Sequence, residues 1–298
     1  MSYLNIGGKN IYFEEYGKGK SPTLVYFHGG PGESCRTYTY QAKVLGESCH
    51  VISFDQYGVF RSDALGDEKA GVRFHVELIE QMRLALGIDK WIPLGHSFGG
   101  MLALVYAHNY SEHTEAVIYD CPMWSALHTA RAIASASLPF YEEKGMTEQA
   151  DICRDILSEG ISPQTAFEKA LGLEMGEELQ KYLHAIDMAD YNRYVEEHIP
   201  DIDAPEECWY RYIDFTKRLF EQEDFYENYI PLIAKVEKPQ MLIVGEYDMT
   251  CGKPEQEYFI QNAPLGRYEE FKGSAHLSWF ERPEEYTKII TGFAKGFE

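Results

Sequence analysis

Residues 93–103, PLGHSFGGMLA, set one serine among three glycines, with the apolar run WIPLG at 91–95 before it and a second apolar run after it. The first run has the length and apolar character of a buried strand. The second reads as a helix, so the backbone must pass from strand to helix at Ser97. So sharp a turn lifts the serine side chain clear of the sheet and holds it at strained backbone angles. Side chains at Gly95 and Gly99 would collide with the neighbouring strand and helix, and Gly100 permits still closer helix–sheet packing. Gly95-His96-Ser97-Phe98-Gly99 thus matches G-x-S-x-G in the strand–turn–helix context that the motif requires. A nucleotide-binding loop is the competing explanation, but neither G-x-G-x-x-G nor the Gly-Lys-Ser/Thr of a P-loop is present at this turn.

The rest of the chain supplies a sheet for that turn to rise from. TLVYF (Thr23–Phe27), HVISF (His50–Phe54), AVIYD at 116–120 and QMLIVG (Gln240–Gly245) are short, rich in β-branched and aromatic residues, and bounded by glycine, proline or aspartate. With WIPLG they read as parallel strands; 267–271 is a weaker sixth, and LNIGG with NIYFEEYG reads as an antiparallel hairpin at the sheet edge. Val72, Val76, Ile79, Met82 and Leu86 form a helical stripe closed by Gly87. Further helices are expected at 97–109 and Pro283–Lys295, and such alternation implies a parallel sheet with right-handed crossovers. Between about Pro122 and Lys238 strand-like runs almost vanish. Helix starts appear instead, at Ser162-Pro163 with a capping serine and at Ala204-Pro205 without one. The expected architecture is a mostly parallel, doubly wound α/β fold, with residues 1–121 and 239–298 as one domain and 122–238 as an inserted helical cap over the C-terminal strand ends.

Composition narrows the partners. A hydrophobic content of 45% and a charged content of 25% over 298 residues are those of an ordinary globular protein. A net charge of −21 makes nucleic acid and anionic membrane surfaces poor partners. Six scattered cysteines without a CxxC pair read as reduced thiols. The N-terminus lacks the basic start and apolar core of a signal peptide, and no apolar run reaches the length of a membrane span. A cytoplasmic location is the expectation.

A serine is inert without a base, and the base needs an orienting carboxylate. On this architecture the order is serine, acid, histidine. Asp248 follows the strand Gln240–Gly245 directly, and His276 lies on the loop after 267–271, so Ser97, Asp248 and His276 are the candidate catalytic set. Asp120, which also ends a strand, and Glu246 are weaker candidates for the acid. The developing oxyanion needs donors: the N–H of Phe98, next to the serine, and that of Gly30 in the loop His28-Gly29-Gly30-Pro31-Gly32. Consecutive glycines let that backbone approach a substrate oxygen, and Pro31 fixes the turn, for which a cis bond is one route. No metal-ligand spacing such as HExxH occurs, and no metal or organic cofactor is expected.

HGGPG, GHSFGG, GEYD and SAHLSWFERPEEY together resemble the α/β-hydrolase fold and, within it, the proline iminopeptidases, including the tricorn-interacting aminopeptidases. The resemblance covers about 1–122 and 238–298. It implies Ser97, Asp248 and His276 as triad, Gly30 and Phe98 as oxyanion hole, and release of N-terminal proline, or another small residue, from short peptides through an acyl-enzyme. Two departures stand out. The family's D-Q-R-G-x-G-x-S is here Asp55-Gln56-Tyr57-Gly58-Val59-Phe60-Arg61-Ser62, with tyrosine for arginine and phenylalanine for glycine, so a differently shaped loop is expected. The family also holds the substrate ammonium with cap glutamates, and none of Glu196, Glu197, Glu206, Glu207, Glu221 or Glu223 aligns with them; Glu33, just after HGGPG, is a further candidate. Aromatic residues of the insertion (Trp124, Phe140, Tyr141, Trp209, Tyr210, Tyr212) could line an acyl pocket, although core packing explains most of them. That leaves hydrolysis of an ester, lactone or acyl amide by the same set as the second reading. A non-catalytic binding protein on the same scaffold is the third, which the intact Ser/His/Asp set disfavours.

Overall fold

A computed structural model describes residues 2–199 and 201–296. Its sheet has eight strands: β1 (Ser2–Ile6), β2 (Lys9–Tyr16), β3 (Thr23–Phe27), β4 (His50–Phe54), β5 (Ile92–His96), β6 (Val117–Asp120), β7 (Gln240–Gly245) and β8 (Gly266–Phe271). Their order is β1-β2-β4-β3-β5-β6-β7-β8. The β1–β2 and β2–β4 pairings are antiparallel, and every other pairing is parallel. The strand order reverses at β3, so β4 and β5 leave on opposite sides of it. Parallel sheets carry their sites at such a reversal, beyond the C-terminal strand ends.

Both faces of the central strands are buried, and the two-residue strand period divides their side chains cleanly. Val25, Phe27, Ile52, Phe54, Val117, Tyr119, Leu242 and Val244 join one core with helices α2 (Val72–Ala85), α3 (Phe98–Asn109) and α10 (Lys253–Asn262). Leu24, Tyr26, Val51, Ile118, Met241 and Ile243 join another on the opposite face, with α1 (Thr39–Leu45) and α12 (Pro283–Lys295). The apolar runs read from sequence are these strands. WIPLG is shifted by one residue: Trp91 makes only an isolated bridge to Thr114, and the strand runs on to His96.

Between β6 and β7 the described residues form α4 (Ala126–Glu143), α5 (Thr147–Leu157), α6 (Pro163–Leu171), α7 (Glu177–Leu183), α8 (Met188–His198) and α9 (Glu206–Phe220), with two 3-10 turns and no strand. Ser162 caps α6, accepting the Thr165 N–H, whereas α9 starts after Pro205 without a side-chain cap. Residues from α4 to α7 have their own apolar core, including Ile133, Tyr141, Cys153, Ile156 and Leu179. In contrast, Phe215 and Leu219 of α9 and Phe225 after it join the sheet core. The short α11 (Ser278–Glu281) precedes α12. No helix among the described residues is long and apolar enough to cross a membrane.

Helix α3 lies almost in van der Waals contact with the sheet. A Cβ at Gly99 would sit 2.0 Å from the Phe27 carbonyl oxygen, and one at Gly95 would sit 2.1 Å from that of Gly99. A Cβ at Gly100 would meet the Pro122 Cβ at 2.5 Å. Backbone atoms cannot yield as a flexible side chain can. Gly99→Ala is therefore expected to cost at least about 1–3 kcal/mol, the range for overpacking, whereas Gly292→Ala, exposed within α12 with nothing inside 4 Å, should stabilise by about 0.5–1 kcal/mol, the helix-propensity gain of alanine over glycine. Urea midpoints of the two variants check this.

Candidate active site

Ser97 sits between β5 and α3 at φ 52°, ψ −119°, a strained conformation for a residue with a side chain. The turn is held from both sides. Ser97 N–H donates to the Asp120 carbonyl at the end of β6, and the Ser97 carbonyl accepts from Gly100 and Met123. Phe98 is the first residue of α3, so its N–H is one of the helix's four N-terminal amides without an intrahelical partner.

The loop after β3 lies against the serine: a Cβ at Gly29 would come within 2.9 Å of the Ser97 Cβ. Gly30 has φ 112°, which favours glycine, and the Gly30–Pro31 peptide is cis. This loop is fastened to the segment after β4. His28 Nε2 accepts the Gln56 N–H at 2.9 Å, so the ring carries its proton on Nδ1, 3.1 Å from the Gly29 carbonyl oxygen. Burial lowers the His28 pKa, in keeping with this neutral form. At the loop's far end, Asp55 accepts the Ser34 hydroxyl at 2.6 Å and the Cys35 N–H at 3.0 Å.

Asp55 also pairs with Arg61 at 2.6 Å, and Arg61 reaches Glu14 at 3.0 Å. Burial alone would raise the Asp55 carboxyl. Hydrogen bonds and charge from Arg61, with the Ser34 hydroxyl, overcome that and hold it below the ordinary carboxylate range. Sequence reasoning noted the segment's departures but missed this hub, whose partners lie up to 47 positions from Arg61. Phe60, in the place of the expected glycine, keeps the positive φ that glycine adopts most easily, at 39°. Its ring packs on Trp209 of α9 with centroids 4.5 Å apart. The difference therefore lies in the side chain, which docks the loop on the helical insertion.

His276 Nδ1 lies 2.7 Å from Asp248 Oδ1. Asp248 also accepts the N–H groups of Thr250 and Cys251, at 3.2 and 3.0 Å. An ionised carboxylate only accepts, so Nδ1 carries the proton and Nε2 is left as a base. The His276 ring lies 4.7 Å from that of His96, the residue before Ser97, although among the described residues no direct hydrogen bond joins Ser97 Oγ to His276. Ser97 and His276 are 7% and 8% exposed, so the pair is largely shielded from water.

The other candidate acids are engaged elsewhere. Asp120 accepts the Tyr286 hydroxyl and lies 3.3 Å from His96 Nδ1, an ion-pair distance without hydrogen-bond geometry. Burial disfavours the charged form of His96; Asp120, with smaller contributions from Glu33 and Asp248, offsets this and raises its pKa. Glu246 accepts the Gly273 N–H. The one grouping of three metal-ligating donors found among the described residues is Cys121, Asp248 and His276, whose ligand atoms lie within 4.8 Å of one another. Its chemistry fits a metal poorly: the carboxylate and imidazole are bonded to each other, and burial pushes the Cys121 thiol well above its ordinary value, away from the thiolate.

Glu196, Glu197, Glu206, Glu207, Glu221 and Glu223 are all exposed, as is Glu33. Of the aromatic residues, Trp124 and Tyr141 are buried in cores. Trp209 and Tyr212 instead line a cavity of about 150 Å³ with Gly32, Ser34, Arg36 and Phe60.

The strand order and the flanking helices are those of an α/β-hydrolase fold, and the family model described as alpha/beta hydrolase fold matches residues 22–144. Within that fold the chain is similar to proline iminopeptidases. It is 26% identical to that of Heyndrickxia coagulans over 98% of this chain and 97% of the relative. It is also 26% identical to that of Saccharolobus solfataricus over 98% of this chain and 91% of the relative. The solved proline iminopeptidase-related protein from Thermus thermophilus superposes with a TM-score of 0.74, covering 99% of this chain and 97% of that one, at 21% identity. That last likeness speaks for the fold alone. The family match and the two sequence relatives support a hydrolase.

Arg61→Met would leave Asp55 buried without its cation, at an expected cost of roughly 3–5 kcal/mol near neutral pH. The sign with pH follows from the depressed Asp55 pKa. Its stabilisation is complete above the unfolded value of about 3.9 and is lost as pH falls through the folded value. Urea denaturation should therefore show a gap between wild type and variant that is wide at pH 7 and narrows toward pH 3.

Proposed function

We propose that the protein is a serine hydrolase that releases N-terminal proline, or another small residue, from short peptides. The observation that carries this is Ser97 at φ 52° on the strand–helix turn, beside a histidine whose far nitrogen is bonded to a carboxylate at 2.7 Å. Ser97 is the nucleophile, His276 the base and Asp248 its orienting acid. Residues 1–121 and 239–298 form the catalytic domain, and 122–238 the cap.

In the proposed reaction His276 Nε2 takes the Ser97 proton as Oγ bonds to the substrate carbonyl carbon. The N–H groups of Gly30 and Phe98 hold the resulting oxyanion. The imidazolium gives its proton to the leaving amine, and the C–N bond breaks. Water, deprotonated by the same nitrogen, then frees the acyl group and restores Ser97. In this reading the Ser97–His276 hydrogen bond, absent among the described residues, forms when substrate is bound.

Similarity to proline iminopeptidases supports the amino-acyl substrate, and such a substrate needs a carboxylate for its ammonium. Among the candidates Glu33 is favoured. It follows the loop that touches Ser97, and its N–H donates to the Gly29 carbonyl of that loop at 3.3 Å. The second reading, an ester, lactone or acyl-amide hydrolase, is favoured by the aromatic cavity of Phe60, Trp209 and Tyr212 over the same loop.

Side-by-side kcat/KM on a free-amine prolyl anilide, its N-acetyl twin and a short acyl ester separates the two. The free amine should be turned over, N-acetylation should abolish this, and Ser97→Ala should remove at least ~1,000-fold of the activity. Preference for the acetylated twin or the ester would overturn the aminopeptidase reading and leave the serine hydrolase. Glu33→Gln should raise KM for the free amine by about tenfold, the loss of roughly 1.4 kcal/mol of binding, with no effect on the ester.

A further inference from the structure

His276 is held by more than Asp248. At the end of α11, Glu281 turns its carboxylate back over the loop that carries the histidine. Oε2 accepts the Ala275 N–H at 2.6 Å and the Ser274 hydroxyl at 2.8 Å. Oε1 accepts the Ile186 N–H at 2.6 Å. Ile186 lies in the strap between α7 and α8, and the same strap reaches the loop a second time: the His184 carbonyl accepts the Leu277 N–H at 3.0 Å. The residues on either side of His276 are thus both tied to strap 184–186, Leu277 directly and Ala275 through Glu281.

The arrangement is not the default for a glutamate at this place. Glu281 is partly buried, and a carboxylate withdrawn from water needs a cation or hydrogen-bond donors to offset its lost hydration. No Lys, Arg or His ion pair offsets it among the described residues. Two backbone N–H groups and a hydroxyl hold it instead. Such bonds to an ionised acceptor are short, directional and stronger than neutral ones. A carboxylate bonded on both oxygens fixes the relative position of the two segments it joins, which a single contact would leave free to pivot.

We infer that Glu281 is a positioning residue: with the Leu277–His184 bond it makes strap 184–186 of the cap the support that sets the backbone of His276, so that seating of the cap and alignment of the imidazole are one event. This rests on the reading of His276 as the base. It goes beyond that reading in giving the cap a share in catalytic alignment as well as in enclosing substrate.

The test is Glu281→Ala and Glu281→Gln, read by kcat and KM on whichever substrate shows Ser97-dependent turnover, and by the far-downfield proton NMR signal of His276 Nδ1–H, assigned by its loss in His276→Asn. Misplacing a catalytic group by about 1 Å can cost on the order of 100-fold. Glu281→Ala is therefore expected to lose roughly 10- to 100-fold in kcat with KM within about threefold. The downfield signal should broaden or vanish while the rest of the spectrum stays native. Glu281→Gln keeps one accepting oxygen and puts an amide where the other was, so it should fall between Ala and wild type; it also carries the test if the alanine variant does not fold. Wild-type kcat with an intact signal, or a lower melting temperature alone, would overturn the proposal. If His276→Asn keeps full turnover, the reading of the site fails. The NMR signal would still report whether Glu281 and the strap position that ring.

Discussion

The constraint on which the site depends is the close approach of α3 to the sheet. Gly99 lies against the Phe27 carbonyl and Gly100 against Pro122, each too close for a side chain to intervene. That spacing brings three chain segments to one point: the N-terminus of α3, the loop after β3 and the end of β6. Ser97 stands where they meet. Its positive φ persists because its own N–H and carbonyl are bonded to backbone groups of β6 and of the residues just beyond it. The cost of the turn, of order 1–3 kcal/mol for such a conformation, is met by burial of the apolar residues on both sides of it.

A second principle organises the loops around that point. Each is held by one carboxylate bonded to several N–H or O–H groups. Asp55 holds the loop after β3 through Ser34, Cys35 and Arg61. Asp248 closes its own turn and takes the His276 ring. Glu281 holds the backbone of the His276 loop and the strap. Only Asp55 has a cation against it; the other two rely on neutral donors. In a chain with a net charge of −21, carboxylates that act as fixed acceptors are chemically distinct from the many that only face solvent. Net charge does not reveal which are which.

That distinction marks what the sequence could disclose. The strands were legible because residues such as Val25 and Leu24 are buried on opposite faces, which leaves an unbroken apolar run bounded by glycine and proline. The turn at Ser97 was legible because each of its glycines answers a local collision. Asp248 and His276, which the fold brings within 2.7 Å of each other, were singled out by chain order and by strand ends. Arg61 and Glu281 were not legible as organisers. Their partners lie at positions such as 14, 55, 186 and 275, and nothing in a one-dimensional pattern signals that a glutamate near the C-terminus will accept the N–H of Ile186. Phe60 is an intermediate case. Its departure from glycine was visible, but the positive φ it retains and its stacking on Trp209 follow from the docking of α9, a tertiary contact.

The helical insertion touches both sides of the site by different chemistry. Helix α9 meets the loops after β3 and β4 through side chains: rings, and Arg211 and Arg218, which donate to the carbonyls of Phe60, Ser62 and Gly66. Strap 184–186 meets the His276 loop through its own backbone N–H and carbonyl groups. Contacts made by side chains change when those side chains are substituted, so the α9 side can vary with the sequence. Hydrogen bonds to backbone groups are directional and do not depend on side-chain identity along the strap, so that side can stay fixed while the sequence around it drifts. An insertion built this way separates two demands that a single contact surface would set against each other: a wall beside the loops after β3 and β4 that can vary, and a constant support for the His276 loop.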